Sequence, residues 1–304
     1  MKRCLIILLC FILLAGCQKS ASAQRTIFAM DTVMELKLYG TDADAAAAKL
    51  QILINDLEST WSSTRDDSIP NNETAKLTQE QSGLLDTLAK MENRTDGLYD
   101  MHLGGVMKAW GFYDKNYQVP TDAELTAARE ENRLDLGGAM KGYAADQAVA
   151  ILDCLDIDYA ILDLGGNIQT YNSKPDGTPW QIGIQNPDGG DPLGVLSITG
   201  TTAIITSGDY QRSFTKDSKT YHHIIDPRTL CPAVSDLRSV TVICKNGLTA
   251  DCLSTALYIM GLEEGSQFWR QSKDFEAVFI TASGQIHATE GLTLTGCEYE
   301  VIKR

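Results

Sequence analysis

Three motifs sit within residues 207–256: Ser207-Gly208-Asp209-Tyr210, Tyr221-His222-His223-Ile224-Ile225-Asp226-Pro227, and Ala250-Asp251-Cys252-Leu253-Ser254-Thr255-Ala256. The first is a hydroxyl and turn cluster. The second is a His pair running into Asp-Pro. The third places an acid and two hydroxyls at the opening of an apolar run, Ala250 to Met260, that reads as a helix. Strand-like segments, Thr202 to Thr206 and Arg238 to Cys244, lie among them. This density of titratable and metal-capable groups suits a catalytic site better than a plain core. Strand, turn and helix alternate too irregularly for a strict βαβ repeat, so the stretch predicts a mixed α/β, or α+β, fold.

The rest of the chain agrees. Toward the N-terminus, Thr26 to Tyr39 alternates as a strand. Asp42 to Trp61 is predicted as a helix, with Leu50, Leu53, Ile54 and Leu57 at helical spacing. Thr78 to Thr95, Thr121 to Glu131 and Met140 to Leu155 are three more helices, and Leu98 to Phe112 is Gly-rich and irregular. Strands are expected at Tyr159 to Leu164, Trp180 to Gln185 and Leu193 to Thr199. Ala277 to Thr281 and Gly284 to Ala288 form a closing hairpin. No linker interrupts residues 25–304, which read as one domain.

Met1 to Gly16 reads as a secretion signal: Lys2 and Arg3 precede the short apolar run Leu5 to Leu14. Leu14-Ala15-Gly16-Cys17 resembles a lipobox, so Cys17 is expected to be lipidated, palmitate included, with residues 17–24 as a tether. The protein is then expected outside the cell membrane and anchored to it. Residues 1–16 carry two basic groups and no acid, so their removal moves the net charge from −14 to −16. Such a surface repels nucleic acid and anionic headgroups. Of eight Cys, only Cys154, Cys231, Cys244, Cys252 and Cys297 follow Cys17; an odd number without CxxC spacing argues against a zinc cluster.

Two Gly-Gly turns stand out. Asp135-Leu-Gly-Gly-Ala-Met-Lys141-Gly-Tyr143 opens a helix, and Asp163-Leu-Gly-Gly-Asn167 ends a strand. Each is either a plain tight turn or a place where backbone approaches an anion. His222 and His223 face opposite sides if they lie on a strand, so they do not share one metal. Asp251 and Thr255 are spaced i, i+4, so their oxygens reach one spot. That suits Mg²⁺; helix capping is the simpler alternative.

Together these motifs resemble the ApbE family, the FAD:protein FMN transferases. Met30-Asp31-Thr32, Leu98-Tyr99-Asp100, Asp135 to Tyr143, Asp163 to Asn167, Ser207 to Tyr210, His223 to Pro227 and Ala250 to Thr255 follow the family's order. The resemblance implies an FAD cleft between two subdomains, with Mg²⁺ on the pyrophosphate. It implies transfer of FMN to a Thr or Ser hydroxyl of a target protein, with release of AMP. The implied metal ligands are the Gly138 carbonyl, the Asp251 carboxylate and the Thr255 hydroxyl. Met30, Leu98, Tyr99, Asp100, Asp135, Lys141 and the backbone at Ile225 would contact FAD, and Trp61 would stack on it. His223, rather than His222, would be the general base. The implied acceptor is a membrane or extracytoplasmic redox protein. Two other readings share these motifs: an FAD pyrophosphatase giving FMN and AMP, and a non-catalytic FAD-binding lipoprotein. The chain departs from the family in carrying Asp31 and Leu230 where Gly is usual, His102 for Thr and Gly105 for Pro.

Overall fold

The computed structural model describes residues 21–72 and 74–304. The signal and Cys17 lie outside the described residues.

The chain opens with a hairpin, where one strand was expected. Strand β1 (Ser22–Ala29) turns through Met30 and Asp31 into β2 (Thr32–Tyr39), pairing Ala29 with Thr32 and Ser22 with Tyr39. Both turn residues take positive φ, 52° and 57°, as a two-residue hairpin turn of primed type requires. The apolar alternation survives on both arms, which is why the turn was hidden in it. Ser22 to Gln24, expected to lie in a tether, belong to β1.

Four helices follow: α1 (Ala43–Trp61), α2 (Gln79–Arg94), α3 (Gly104–Ala109) and α4 (Asp122–Glu130). Capping boxes start α2, between Thr78 and Gln81, and α4, between Thr121 and Glu124. Then come α5 (Met140–Leu152), β3 (Tyr159–Asp163), β4 (Ile168–Tyr171), β5 (Trp180–Ile184), β6 (Gly194–Ile198) and β7 (Thr202–Gly208). A small hairpin, β8 (Ser213–Lys216) and β9 (Lys219–His222), precedes the short pair β10 (Ile225–Asp226) and β11 (Cys231–Pro232). The chain closes with β12 (Leu237–Cys244), α6 (Gly247–Gln271), β13 (Phe275–Thr281), β14 (Ile286–Thr289), β15 (Leu294–Thr295) and β16 (Glu300–Ile302). Helix α6 runs past its expected end at Met260 through a break at Gly261, whose φ is 80°.

The fold is mixed α/β, as expected. A nine-stranded sheet has the order β1-β2-β3-β4-β7-β12-β13-β14-β16. One face packs against α1, α5 and α6 through Met34, Leu36, Leu50, Leu162, Val242 and Leu257. The other face, through Ile204, Ile243, Val278 and Ile280, is covered by a three-stranded sheet, β15-β6-β5, bearing Ile182, Ile184 and Leu196. A third apolar cluster joins α3 and α4 to the β8–β9 hairpin, where Phe214 stacks on Tyr117 and Tyr221.

Two departures from the family pattern find their reason here. Leu230 holds φ at 58°, a region that favours glycine, and packs its side chain into the third cluster. Its carbonyl accepts a hydrogen bond from Trp110 Nε1 at 2.9 Å. Gly105 lies so close to α4 that a Cβ would overlap the Ala128 carbonyl oxygen.

Helices α5 and α6 also meet glycine to glycine. A Cβ on Gly142 would overlap the Gly247 carbonyl oxygen and lie 2.7 Å from the Asp251 Cβ. Gly142→Ala is therefore expected to cost about 1–3 kcal/mol, the range of overpacking, seen as a lower urea midpoint. An unchanged midpoint would contradict this close approach.

Candidate active site

The glycine contact fixes Asp251, and Asp146 of α5 locks it. The Asp146 carboxylate accepts from the Gly247 and Leu248 amides at 2.6 and 2.9 Å and from Asn246 Nδ2 at 2.8 Å. It occupies the N-terminus of α6, where unpaired amides and the helix dipole favour a negative charge. One turn further along α6, Asp251 Oδ2 accepts from the Gly142 amide at 2.8 Å. Asn167, which closes the second Gly-Gly turn, donates through Nδ2 to Oδ1 at 3.3 Å.

Asp251 is buried, which raises its pKa, and the nearby Lys141 charge opposes the rise in part. Beside it the Asn167 Oδ1 and the Tyr99 hydroxyl are buried without a hydrogen-bond partner. A Cβ on Gly138 would lie 3.3 Å from Thr255 Oγ1, so the first Gly-Gly turn passes directly over that hydroxyl. Thr255 Oγ1 lies 3.4 Å from Ser207 Oγ, which is 2.7 Å from Ser254 Oγ. All of these donors are hard oxygens. A carboxylate, hydroxyls, an orphaned amide oxygen and an unencumbered carbonyl turn fit Mg²⁺ and not a soft metal.

Lys141 follows the same turn. Its ammonium makes no hydrogen bond or ion pair among the described residues. Burial lowers its pKa, and Arg212 lowers it further, while Asp251 and Asp163 act the other way. In so acidic a chain, two cations lie near each other here: Lys141 beside Asp251, and Arg212 close enough to act on Lys141. Arg212 is held loosely, 3.5 Å from Asp31.

The two histidines separate as strand geometry requires. His222 is in the core: its Nε2 lies 3.0 Å from the Ala233 carbonyl, its Nδ1 accepts from the Ile224 amide at 3.3 Å, and its ring meets Tyr258 edge-on. His223 turns the other way. Its Nδ1 lies 3.3 Å from the Arg212 carbonyl oxygen, which can only accept. Nδ1 therefore carries the proton and Nε2 is left with a lone pair. Burial, with the Arg212 charge next, pushes the His223 pKa down to about 3, so the ring is neutral near pH 7 and its Nε2 lone pair is unprotonated.

Comparison with known proteins fits this geometry. The ApbE family model matches residues 30–279. The chain belongs to the ApbE family. A protein of Vibrio cholerae named FAD:protein FMN transferase is 32% identical over 87% of this chain and 90% of its own length. A Klebsiella pneumoniae protein of the same name is 32% identical over 63% of this chain and 66% of its own length. The crystal structure of the ApbE protein of Thermotoga maritima superposes with a TM-score of 0.81 at 26% identity, covering 89% of this chain and 98% of that one.

In this ApbE-family chain the structure gathers Gly138, Asp251, Thr255 and Lys141 at one place. Asp135 stands at the start of the same turn, where its Oδ1 accepts from the Gly137 amide at 2.7 Å. Met30 sits in the β1–β2 turn, its amide donating to Glu58 Oε1 at 3.1 Å. Two expected contacts are corrected. Trp61 is only 5% exposed and packs within the helical core, so it offers no free ring face for stacking. The Asp100 carboxylate is already paired with Arg129 at 2.7 Å and accepts from the His102 amide at 2.7 Å. Leu98 and Tyr99 are buried side chains, leaving Tyr99's unpartnered hydroxyl as the part of that segment aimed at the site. Ile225 is buried in the third cluster, so only its backbone is available, as expected.

Glu92, Asp100 and His102 bring ligand atoms within 4.8 Å of one another. Arg129 on Asp100 and the His102 ring on Glu92 make this an ion-pair knot that holds the Tyr99 segment. Three residues were given no role in the sequence. Ser254 carried a hydroxyl in a named motif, and Asn167 closed a named turn. Asp146 gave no local signal at all.

The neutral state of His223 has a thermodynamic consequence. The unfolded ring binds a proton below about pH 6.5, while the folded one resists until about pH 3. The unfolded state thus holds more protons in this window, and stability falls as pH drops through it. The urea midpoint is expected to fall between pH 6.5 and pH 4, and the slope to be shallower in His223→Asn.

Proposed function

We propose that this chain is an FAD:protein FMN transferase that uses Mg²⁺. It joins the FMN part of FAD to a Thr or Ser hydroxyl of a target protein and releases AMP. The observation that carries this reading is the passage of the Gly138 turn over Thr255 Oγ1, one helical turn from the buried Asp251, with Lys141 and a neutral histidine beside them. Relatives 32% identical to this chain bear the transferase name.

Phosphoryl transfer requires positioning and charge neutralisation more than covalent chemistry. Bound Mg²⁺ would neutralise the pyrophosphate, held by the Gly138 carbonyl, the Asp251 carboxylate and the Thr255 hydroxyl. Lys141 would bind a phosphate oxygen, its ammonium having no hydrogen-bond or ion-pair partner among the described residues. His223 Nε2 takes the proton from the acceptor hydroxyl. The new bond joins the acceptor oxygen to the phosphorus of the FMN unit. The bond to the bridging oxygen breaks, and that oxygen leaves with AMP. The Arg212 carbonyl keeps the His223 proton on Nδ1 throughout. The acceptor would be a membrane or extracytoplasmic redox protein, reached by an enzyme tethered outside the membrane through lipidated Cys17.

With FAD, Mg²⁺ and an acceptor polypeptide, AMP release and an acceptor mass gain equal to FMN are expected together. AMP with an unmodified acceptor would favour the pyrophosphatase reading, and FAD bound without AMP a binding protein. His223→Ala should lower kcat about 10²–10⁴-fold, the usual contribution of a general base, and Asp251→Asn should abolish the Mg²⁺ dependence. Full transfer by His223→Ala would remove that residue from the chemistry. For the anchor, cells fed labelled palmitate should label the wild-type chain and not Cys17→Ser; equal labelling would refute lipidation at Cys17.

A further inference from the structure

The second sheet leaves one edge open. Strand β5 pairs only with β6 among the described residues. The Ile184 carbonyl accepts from the Leu193 amide at 2.9 Å, on the β6 side. Ladder bonding alternates along a strand, so the amides and carbonyls of Gln181, Gly183 and Gln185 turn to the open side. None of them has a backbone partner there among the described residues. Natural edges are blunted with charge or proline; these three exposed positions carry neither.

That open edge forms one wall of a cavity of about 280 Å³. Its floor is the large sheet, through Ile161, Ile168 and Ile204, and its mouth carries Asp163, Gly166 and Thr206. The mouth adjoins the site already described. Asn167, next to Gly166, donates to Asp251. Ser207, next to Thr206, points through the opposite face of β7 to Ser254 at 2.7 Å. The segments assigned to FAD lie elsewhere, on Met30 and the turns before α3 and α5. The cavity thus lies on the face of the large sheet opposite the reaction centre, reaches it only around the ends of β3 and β7, where Asp163 acts on Lys141, and is separate from the flavin's own contacts.

We infer that the open edge of β5 docks the acceptor polypeptide as an added strand, with alternate side chains on the apolar floor and the modified hydroxyl at the mouth. This rests on the transferase reading. The occupant is an extended segment because what the wall offers is backbone hydrogen bonding with period two, which a small molecule does not match. It is neutral or basic because Asp163 is the only ionisable group of the lining, in a chain of net charge −14.

Proline is tolerated at outward positions of an edge strand, so Gln181→Pro and Gln185→Pro keep the sheet while removing one outward amide each; Gly183 is left alone because a Cβ there would press on Pro192. The probe is a library of twelve-residue segments, each with one central Thr, presented with FAD and Mg²⁺ to the full-length chain in detergent. Each variant is expected to lower kcat/KM for labelled segments roughly tenfold, the scale of one lost hydrogen bond, mainly through KM for the segment. KM for FAD should stay within about twofold of wild type, since no flavin contact is touched. Hydrogen exchange should show the Gln181 and Gly183 amides unprotected with FAD alone and protected once a labelled segment is added. Folded variants that label as well as wild type overturn the dock and leave the transferase reading standing. Amides already protected before any segment is added also overturn it, because the chain itself then covers the edge. A wild-type chain that releases AMP and labels no segment overturns the dock together with the polypeptide-acceptor reading.

Discussion

The contact on which this structure depends is the approach of α5 to α6 at Gly142 and Gly247. With no Cβ on either side, the helices come close enough for one backbone amide of α5 to reach the Asp251 carboxylate. The same approach lets Asp146 cap α6 from the side. A carboxylate buried without partners would neutralise itself or unfold its surroundings. Here an α5 amide and Asn167 hold Asp251 in place, while Lys141 supplies a field without closing an ion pair. The arrangement keeps an acid in the interior and leaves its remaining lone pairs unused.

Positive φ explains the chain's own departures from its family. Asp31 and Leu230 both stand where the family resemblance leads one to expect glycine, and both adopt left-handed backbone, at 57° and 58°. Such a conformation costs of order 1 kcal/mol for a residue with a side chain, so something must offset it. For Leu230 the offset is apolar packing with Trp110, whose indole also holds the Leu230 carbonyl. For Asp31 it is charge: Lys115 lies 3.4 Å and Arg212 3.5 Å from its two carboxylate oxygens. The turn shape is therefore retained while its chemistry changes, and Asp31 becomes a counter-ion for a cation beside the site.

Much of the fold was legible because its signals are local. Helical spacing of apolar residues, as in Leu50, Ile54 and Leu57 of α1, marked the helices, and the capping boxes at Thr78 and Thr121 fix where α2 and α4 begin. Strand β4 was not legible: Ile168 to Tyr171 is short and its buried Gln169 and Thr170 break the apolar pattern. The β8–β9 hairpin was missed because its strands are polar and mostly exposed. At the site, Asp251, Thr255, Gly138 and Lys141 were legible as motifs, since each sits on a turn or a helix opening with fixed spacing. Trp61 and Asp100 were misjudged because motif position says nothing about burial or about a distant partner such as Arg129. Asp146 was invisible for the same reason; its role exists only once α5 and α6 have met.

The alternation of β7 ties the two faces of the large sheet to one reaction. Ser207 reaches the helical side, where the oxygens of Ser254 and Thr255 lie, while Thr206 faces the second sheet and bonds Thr241 Oγ1 at 2.8 Å. One residue of strand separates the two. A pyrophosphate held on the helical side and a polypeptide arriving from the other would meet only around the ends of β3 and β7, where Asp163 and the Gly165-Gly166 turn stand. Both glycines there have positive φ, 74° and 88°, and a Cβ on Gly165 would overlap Thr32 of the first hairpin. That turn is thus compressed between β2 and the site, thin enough for two substrates to approach across it. A bulkier turn would keep the metal ligands intact and still separate the reactants, which is the physical reason to find Gly-Gly at this strand end.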